Sequence, residues 1–309
     1  MGETTDKNNK YCNIPIWHRH GITGKGIAVW NCEGDSGHGH KSRGRILDSA
    51  PDATVFSGNV SYSSKNGALV NPIVHLESGD VPLEGFIANN NIRVVNASLS
   101  PSPFSYPGYK TRKEWKDLIE KYDLCCFASS ANDGDRKKNF DNSDFGWWYI
   151  GAMYMHAGNE NDLRRHGYSN GGEGLDFIDF TGDWSGTSSS SPYLAGKCAL
   201  IRQRYPHLNR FEVYEYMKAH AADLGDPGED TLFGHGLVIL PDDFRAEDKE
   251  EEDVEITKTK VLVDDKIIEV KRVMVNNENY IRLRDFDDVL HICKVDYDKA
   301  KNLPIVKKG

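Results

Sequence analysis

No stretch of eighteen consecutive apolar residues occurs in the 309-residue chain, so nothing in it reads as a membrane-spanning helix. The first twenty residues include Asp6, Lys10, His18 and His20 and hold no apolar run like a signal peptide. A myristoylation-like Met1-Gly2 start is spoiled by Asp6, where Ser or Thr is needed. Cysteine is sparse. The six cysteines lie singly, apart from Cys125-Cys126, which excludes a disulfide framework or a metal-ligand spacing and predicts reduced, buried thiols and a cytoplasmic protein. Basic charge is also short: the formal net charge of −9 argues against a nucleic-acid binder, which needs a basic face to displace counterions.

What is present is an alternation of short apolar runs with helical patterns over the first 200 residues. Strands are predicted at Gly26–Trp30, Ala53–Phe56, Ile92–Leu99, Leu124–Ala128, Trp147–Met153 and Leu175–Phe180. Helices are predicted from His38 through Leu47, around Val81–Asn89, from a Thr111/Glu114 capping box, after Pro192, and from an Asn209 cap with Glu212. Residues 1–20 read as a polar, irregular arm, and 57–91 as Gly-, Ser- and Asn-punctuated chain with that one helix. The fold class expected is α/β, a mainly parallel sheet covered by helices on both faces. Length allows one large domain and a small one. The large domain is expected over 1–241, an acidic linker over 242–255, and a small α+β domain over 256–309, with a hairpin around Asp264-Asp265, a strand at Tyr280–Leu283 and a helix at Asp285–Ile292.

Three places carry chemistry. Gly186-Thr187-Ser188-Ser189-Ser190-Ser191-Pro192 reads as a hydroxyl-rich turn entering a helix, with Pro192 in its first turn. Its apolar positions Leu194, Ala195, Cys198, Ala199 and Ile201 form a stripe, and Gly196 implies close approach by a neighbouring backbone. A nucleophilic serine needs a base, and His38, opening a helix soon after a buried strand, has the chemistry for it. Asn132, in Ser130-Ala131-Asn132-Asp133-Gly134, offers an amide donor for a developing oxyanion. A different constellation, Asp35, His38 and His40, has the character of a metal site.

In this order the segments resemble the subtilisin-like serine proteases. The matching pieces are His38-Gly39 with Gly44, Asn96-Ala97-Ser98-Leu99-Ser100, Ser130–Gly134, Tyr168-Ser169-Asn170-Gly171-Gly172, Gly186-Thr187-Ser188 with Ser191-Pro192 and Ala195-Gly196, and Phe233-Gly234-His235-Gly236-Leu237. The resemblance implies a subtilisin-like fold over 1–240 and a serine endopeptidase with Ser188 as nucleophile, His38 as general base and Asn132 in the oxyanion hole. It implies a protein or peptide substrate bound along Ala97, Ser98, Leu99 and Ser100. Calcium is frequent in the family, but no Asp-rich loop of known spacing is visible. The pattern departs at the orienting acid, where the family's Asp is replaced by Asn31. An Asp→Asn exchange in such a triad lowers kcat about 10⁴-fold by favouring the wrong histidine tautomer. Glu33 and Asp35 are the carboxylates available to substitute, and a pseudoprotease that binds peptides without turnover is the alternative. Around Asn279–Asp285 the small domain is similar to tail modules of phage cell-wall amidases and to bacterial stalk domains, which implies targeting or anchoring.

Overall fold

The computed structural model describes residues 2–65, 68–98, 110–140 and 146–244, and the strands at 255–263, 266–275, 278–281, 293–298 and 303–308. The side chains of 62–71, 110–114 and the strands after 254 lie outside the described residues. The chain divides into two compact units, Met1–Asp242 and Asp243–Gly309.

Polar composition misleads at the N-terminus, where α1 (Glu3–Tyr11) and α2 (Ile14–Arg19) replace the expected irregular arm. Their polar residues are buried because each finds a partner in the main body. Asn8 Nδ2 donates to the Thr181 carbonyl and Asn9 Nδ2 to that of Asp48, while Tyr193 OH donates to Asn9 Oδ1. Ile14 and Trp17 are fully buried beside them. Such helices draw their stability from docking, which propensity does not report.

The first strand, β1 (Ala28–Asn31), is followed by α3 (Gly37–Ser49) and β2 (Thr54–Ser57). Residues 59–82 then form β3 (Asn59–Lys65), β4 (Ala68–Leu76) and β5 (Gly79–Pro82), an antiparallel sheet where mostly irregular chain was expected. Its signal is the register Val60↔Val74↔Val81, which stacks valines on one face. Next come α4 (Leu83–Asn89), β6 (Ile92–Ala97), α5 (Lys110–Tyr122) and β7 (Cys125–Ser129). Helix α5 starts one residue before the expected Thr111 cap, and the side chains of that turn lie outside the described residues. The chain continues through β8 (Lys138–Asn139), β9 (Trp147–Met155), β10 (Leu163–Arg165), β11 (Gly172–Glu173) and β12 (Phe177–Phe180). It closes this unit with α6 (Thr187–Arg204), α7 (Arg210–Ala219), β13 (Ala221–Ala222) and β14 (Leu237–Val238). Asn209 and Glu212 do form the expected capping box on α7.

The main sheet runs β13-β14-β12-β9-β7-β6-β1-β2, parallel from β14 to β2. From β1 the chain steps to β2 on one side and to β6 and onward on the other, so the order reverses between β1 and β6. In open α/β sheets that reversal leaves a crevice at the carboxyl ends of the strands. Asn31 and Asn96 are paired there in register. Side-chain alternation sends Trp30, Val95 and Cys126 into a cluster with Phe86 of α4 and Trp115 of α5, where Trp115 stacks on Trp147 at 5.4 Å. The alternate residues, among them Asn31 and Asn96, face α6.

Helix α6 begins at Thr187, so Ser188 lies in its first turn and Pro192 lies inside it, contrary to the turn expected through the serine run. It is buried on every side from Thr187 to Arg202 rather than along one stripe. The expected close approach at Gly196 is real: a Cβ there would lie 2.5 Å from the Ile46 carbonyl oxygen of α3. Composition gives no hint of Lys197, which is fully buried 2.7 Å from Asp179 Oδ2, with Nζ also donating to the Val238 carbonyl. Burial raises the Asp179 pKa, with Lys197 opposing. Removing one partner of a buried pair strands the other charge, so Lys197→Met is expected to cost about 3–5 kcal/mol of folding stability, read from urea unfolding midpoints. Replacing both partners, with Asp179→Asn added, should recover part of that loss.

In the second unit β15 (Glu255–Val263) and β16 (Lys266–Val275) pair antiparallel with Val263 opposite Lys266, while the Asp264-Asp265 pair around which a hairpin was expected lies outside the described residues. Strand β17 (Glu278–Ile281) joins β16 two residues earlier than the strand expected at Tyr280–Leu283. A separate pair, β18 (Cys293–Asp298) with β19 (Leu303–Lys308), was not foreseen. The helix expected at Asp285–Ile292 and most of the acidic run lie outside the described residues.

Candidate active site

Strand β1 ends at Asn31, and the chain turns at once. The Asn31 carbonyl accepts from Glu33 N at 2.7 Å and from Gly58 N at 3.1 Å, while Gly34 N donates to Asn59 Oδ1. This turn folds the Glu33 side chain back beneath the start of α3. Its Oε2 lies 2.5 Å from His38 Nδ1, and the Glu33 side chain is 4% exposed against 41% for His38. The turn and helix approach so closely that a Cβ on Gly39 would meet the Gly34 carbonyl oxygen at 2.0 Å and Glu33 Cβ at 2.9 Å. Gly39 is therefore required by the Glu33 turn itself.

Asp35 points elsewhere. Its Oδ1 lies 3.3 Å from His40 Nδ1, on the exposed side of α3, and its Oδ2 lies 4.0 Å from Arg43 Nε. Of the two candidate carboxylates only Glu33 meets His38. The same arrangement undoes the constellation Asp35, His38 and His40: two of its members pair with each other and the third with Glu33. Among the described residues no group of three or more His, Cys, Asp and Glu is placed to hold a metal ion.

Ser188, 8% exposed, occupies the N-terminal turn of α6. Its Oγ donates to the Ser98 carbonyl at 2.9 Å, an oxygen that Ser129 Oγ also reaches at 2.7 Å. Ser98 thus touches the serine, whereas Leu99 and Ser100 lie outside the described residues. Ala97 ends β6. Asn132 is fixed by its acceptor: Oδ1 takes hydrogen bonds from Thr187 N at 2.8 Å and Thr187 Oγ1 at 3.1 Å. With the oxygen committed to the helix start, the amide Nδ2 is the end left to donate.

The turn carrying Asn132 includes Ala131 at φ +74°, a left-handed conformation for a residue with a side chain. It is held by Asn170, whose Oδ1 accepts from Asp133 N at 2.9 Å and Asp135 N at 3.0 Å and whose N donates to the Ala131 carbonyl. Tyr168 OH accepts from Gly186 N at 2.8 Å, and burial raises its phenol pKa. The Tyr168–Asn170 segment therefore braces both the Asn132 turn and the loop before Ser188. Two residues were not singled out in the sequence. Trp184 sets its ring edge-on to His38 at 5.4 Å. Arg45, 2% exposed, lies over the Tyr193 ring and donates to the Ser189 and Phe180 carbonyls, tying α3 to α6 just behind the serine. A buried arginine on an amphipathic helix looks like any exposed one in sequence.

This fold, with a serine at a helix start and a carboxylate-bound histidine across the sheet's reversal point, is that of a subtilisin-like α/β protein. The Subtilase family profile matches residues 2–236, and the chain belongs to that family. It is 26% identical to Subtilisin Savinase of Lederbergia lenta over 271 residues, covering 72% of this chain and 93% of that protein. It is also 26% identical to Alkaline elastase YaB of Bacillus sp. (strain YaB) over 229 residues, covering 67% of this chain and 55% of that one. The chain thus spans little more than half of the elastase. Among solved structures a lanthipeptide protease superposes with a TM-score of 0.53 at 17% identity, over 77% of this chain and 94% of that one. MycP1 from Mycobacterium smegmatis gives 0.53 at 13%, over 75% and 82%. These two likenesses concern the fold.

Proposed function

We propose that the chain is a serine endopeptidase that cleaves peptide bonds through an acyl-enzyme on Ser188. The observation that carries this is the 2.5 Å contact between Glu33 Oε2 and His38 Nδ1, which supplies an orienting carboxylate although Asn31 stands at the family's acid position. A carboxylate on Nδ1 holds that proton and leaves Nε2 free as the base. Ser188 Oγ turns from the Ser98 carbonyl toward Nε2, gives up its proton and attacks the substrate carbonyl carbon. Apo geometry of this kind tightens when substrate binds. The oxygen that gains the negative charge is met by Asn132 Nδ2 and by backbone N–H at the α6 terminus, where the helix dipole also favours an anion. The C–N bond then breaks and His38 passes the proton to the departing amine. Water enters, His38 takes its proton, and hydrolysis of the ester frees Ser188. Substrate adds as an extended strand along Ala97 and Ser98, where main-chain hydrogen bonds tolerate many sequences.

Asn132→Ala is expected to lower kcat about 10²–10³-fold with little change in KM, the range that loss of one oxyanion donor produces in subtilisin itself. A mixture of fluorogenic peptides tests the reading as a whole. Turnover that persists in excess chelator and stops on treatment with a serine-directed fluorophosphonate is expected. Peptide binding without turnover, or turnover that is indifferent to the fluorophosphonate, would contradict it.

A further inference from the structure

We propose that Asn31 is a positioning residue whose neutral amide, not a carboxylate, is what this active site requires at the end of β1. The inference rests on the reading of Glu33 as the orienting acid. It follows from the directions of the hydrogen bonds around the two asparagines.

Asn31 is fully buried. Its Nδ2 donates to the Gly39 carbonyl at 3.0 Å, in the first turn of α3 and next to His38. Its Oδ1 accepts from Asn96 Nδ2, also at 3.0 Å. The second hydrogen of Asn96 Nδ2 goes to Ser98 Oγ at 2.9 Å, and Asn96 Oδ1 accepts from Ser191 Oγ of α6 at 2.9 Å. Ser42 Oγ lies 2.7 Å from Ser98 Oγ and 3.2 Å from Glu33 Oε1. A carboxylate only accepts, so the one proton of Ser42 goes to Glu33 and Ser98 supplies the proton between the two hydroxyls. Every group in this buried network then has a single consistent direction. It starts at the amide protons of Asn96 and ends on the carboxylate that holds His38, with a branch through Asn31 to the His38 helix. The amide pair joins α6, which carries Ser188, to α3, which carries His38.

A carboxylate at position 31 breaks that direction. It keeps an acceptor for Asn96, but it turns an oxygen toward the Gly39 carbonyl, and two acceptors would face each other at 3.0 Å without water. Of the titratable groups on the elements packed around it, Cys32 and Glu33 follow it on its own segment and His38 opens α3, while Arg45 of α3 is bound to Asp48 and the Ser189 and Phe180 carbonyls, and Lys197 of α6 to Asp179 and the Val238 carbonyl. Strand β2 places Ser57 at the paired position, and β6 and α6 present the neutral Asn96 and Ser191. With Arg45 and Lys197 committed to other partners, none of the groups that bond the Asn31 side chain among the described residues is a cation that would hold a second carboxylate ionised. Protonated, the new carboxyl can donate to Gly39; ionised, it pushes the first turn of α3, and His38 with it, out of place.

The test is kcat for a fluorogenic peptide across pH, with rates normalised to sites titrated by a fluorophosphonate. Asn31→Asp, which would merely restore a family residue if Asn31 were a defect, is expected to be about 10- to 100-fold slower than wild type at high pH. Its deficit relative to wild type should shrink toward low pH, so that it gains a descending alkaline limb that wild type does not show. Asn31→Ser, a neutral donor, should run parallel to wild type in pH and carries the test if the Asp variant folds poorly. Glu33→Gln/Asn31→Asp should be no faster than Glu33→Gln. The proposal is overturned if Asn31→Asp equals or exceeds wild type across the pH range, or if it rescues Glu33→Gln. Glu33→Gln turning over at the wild-type rate would instead overturn the assignment of Glu33, and so separates the two.

Discussion

Glu33→Gln is expected to lower kcat for peptide hydrolysis about 10⁴-fold while KM stays nearly unchanged. The amide has the volume of the carboxylate and can still accept from Ser42 on one side, so the fold and the cleft survive. What changes is the partner of His38 Nδ1. With its oxygen still taking the Ser42 proton, the amide turns an NH₂ toward Nδ1, which selects the tautomer protonated on Nε2 and removes the base. The lost charge also withdraws the stabilisation of the imidazolium that forms during attack. Because both effects are confined to the reaction step, steady-state kinetics should place the whole loss in kcat. The 4% exposure of the Glu33 side chain leaves little solvent to dilute the effect.

His38→Ala should lose at least as much, and adding Glu33→Gln to it should lose nothing further. Glu33 makes its contribution through the imidazole, and once the ring is gone there is no tautomer to select and no cation to stabilise. A double variant whose loss is the product of the single losses would mean that Glu33 acts on the reaction by a second route. Measuring kcat for the three variants against wild type decides between these outcomes.

The segments around Ser188, His38 and Asn132 were legible because each is a short motif fixed by local backbone needs. Gly186 at φ +113° precedes the helix of Ser188, and Gly39 is demanded by the turn beneath it. The order of the main-sheet strands β1, β2, β6, β7, β9 and β12 and of the helices between them followed from short apolar runs and helical spacing. Which carboxylate meets His38 was not legible. Glu33 and Asp35 differ by two residues, and which one folds back under His38 depends on the Gly34–Asn59 hydrogen bond, a contact 25 residues apart in the chain. The same applies to the N-terminal helices, whose asparagines pay for burial with bonds to carbonyls as far away as Thr181. Lys197 and Arg45 escaped notice because a charge is read as exposed until its partner is known. Asn31 looked like a loss at a catalytic position; its hydrogen bonds to Gly39 and Asn96 are visible only in three dimensions.

The most direct test of the Ser188–His38–Glu33 site is the rate and location of covalent labelling by a fluorophosphonate, followed by mass spectrometry of the digested protein. The adduct is expected on Ser188 in wild type, forming orders of magnitude more slowly in Glu33→Gln at equal folded protein. An adduct on another residue, no adduct at all, or equal labelling rates in the two proteins would contradict the assignment.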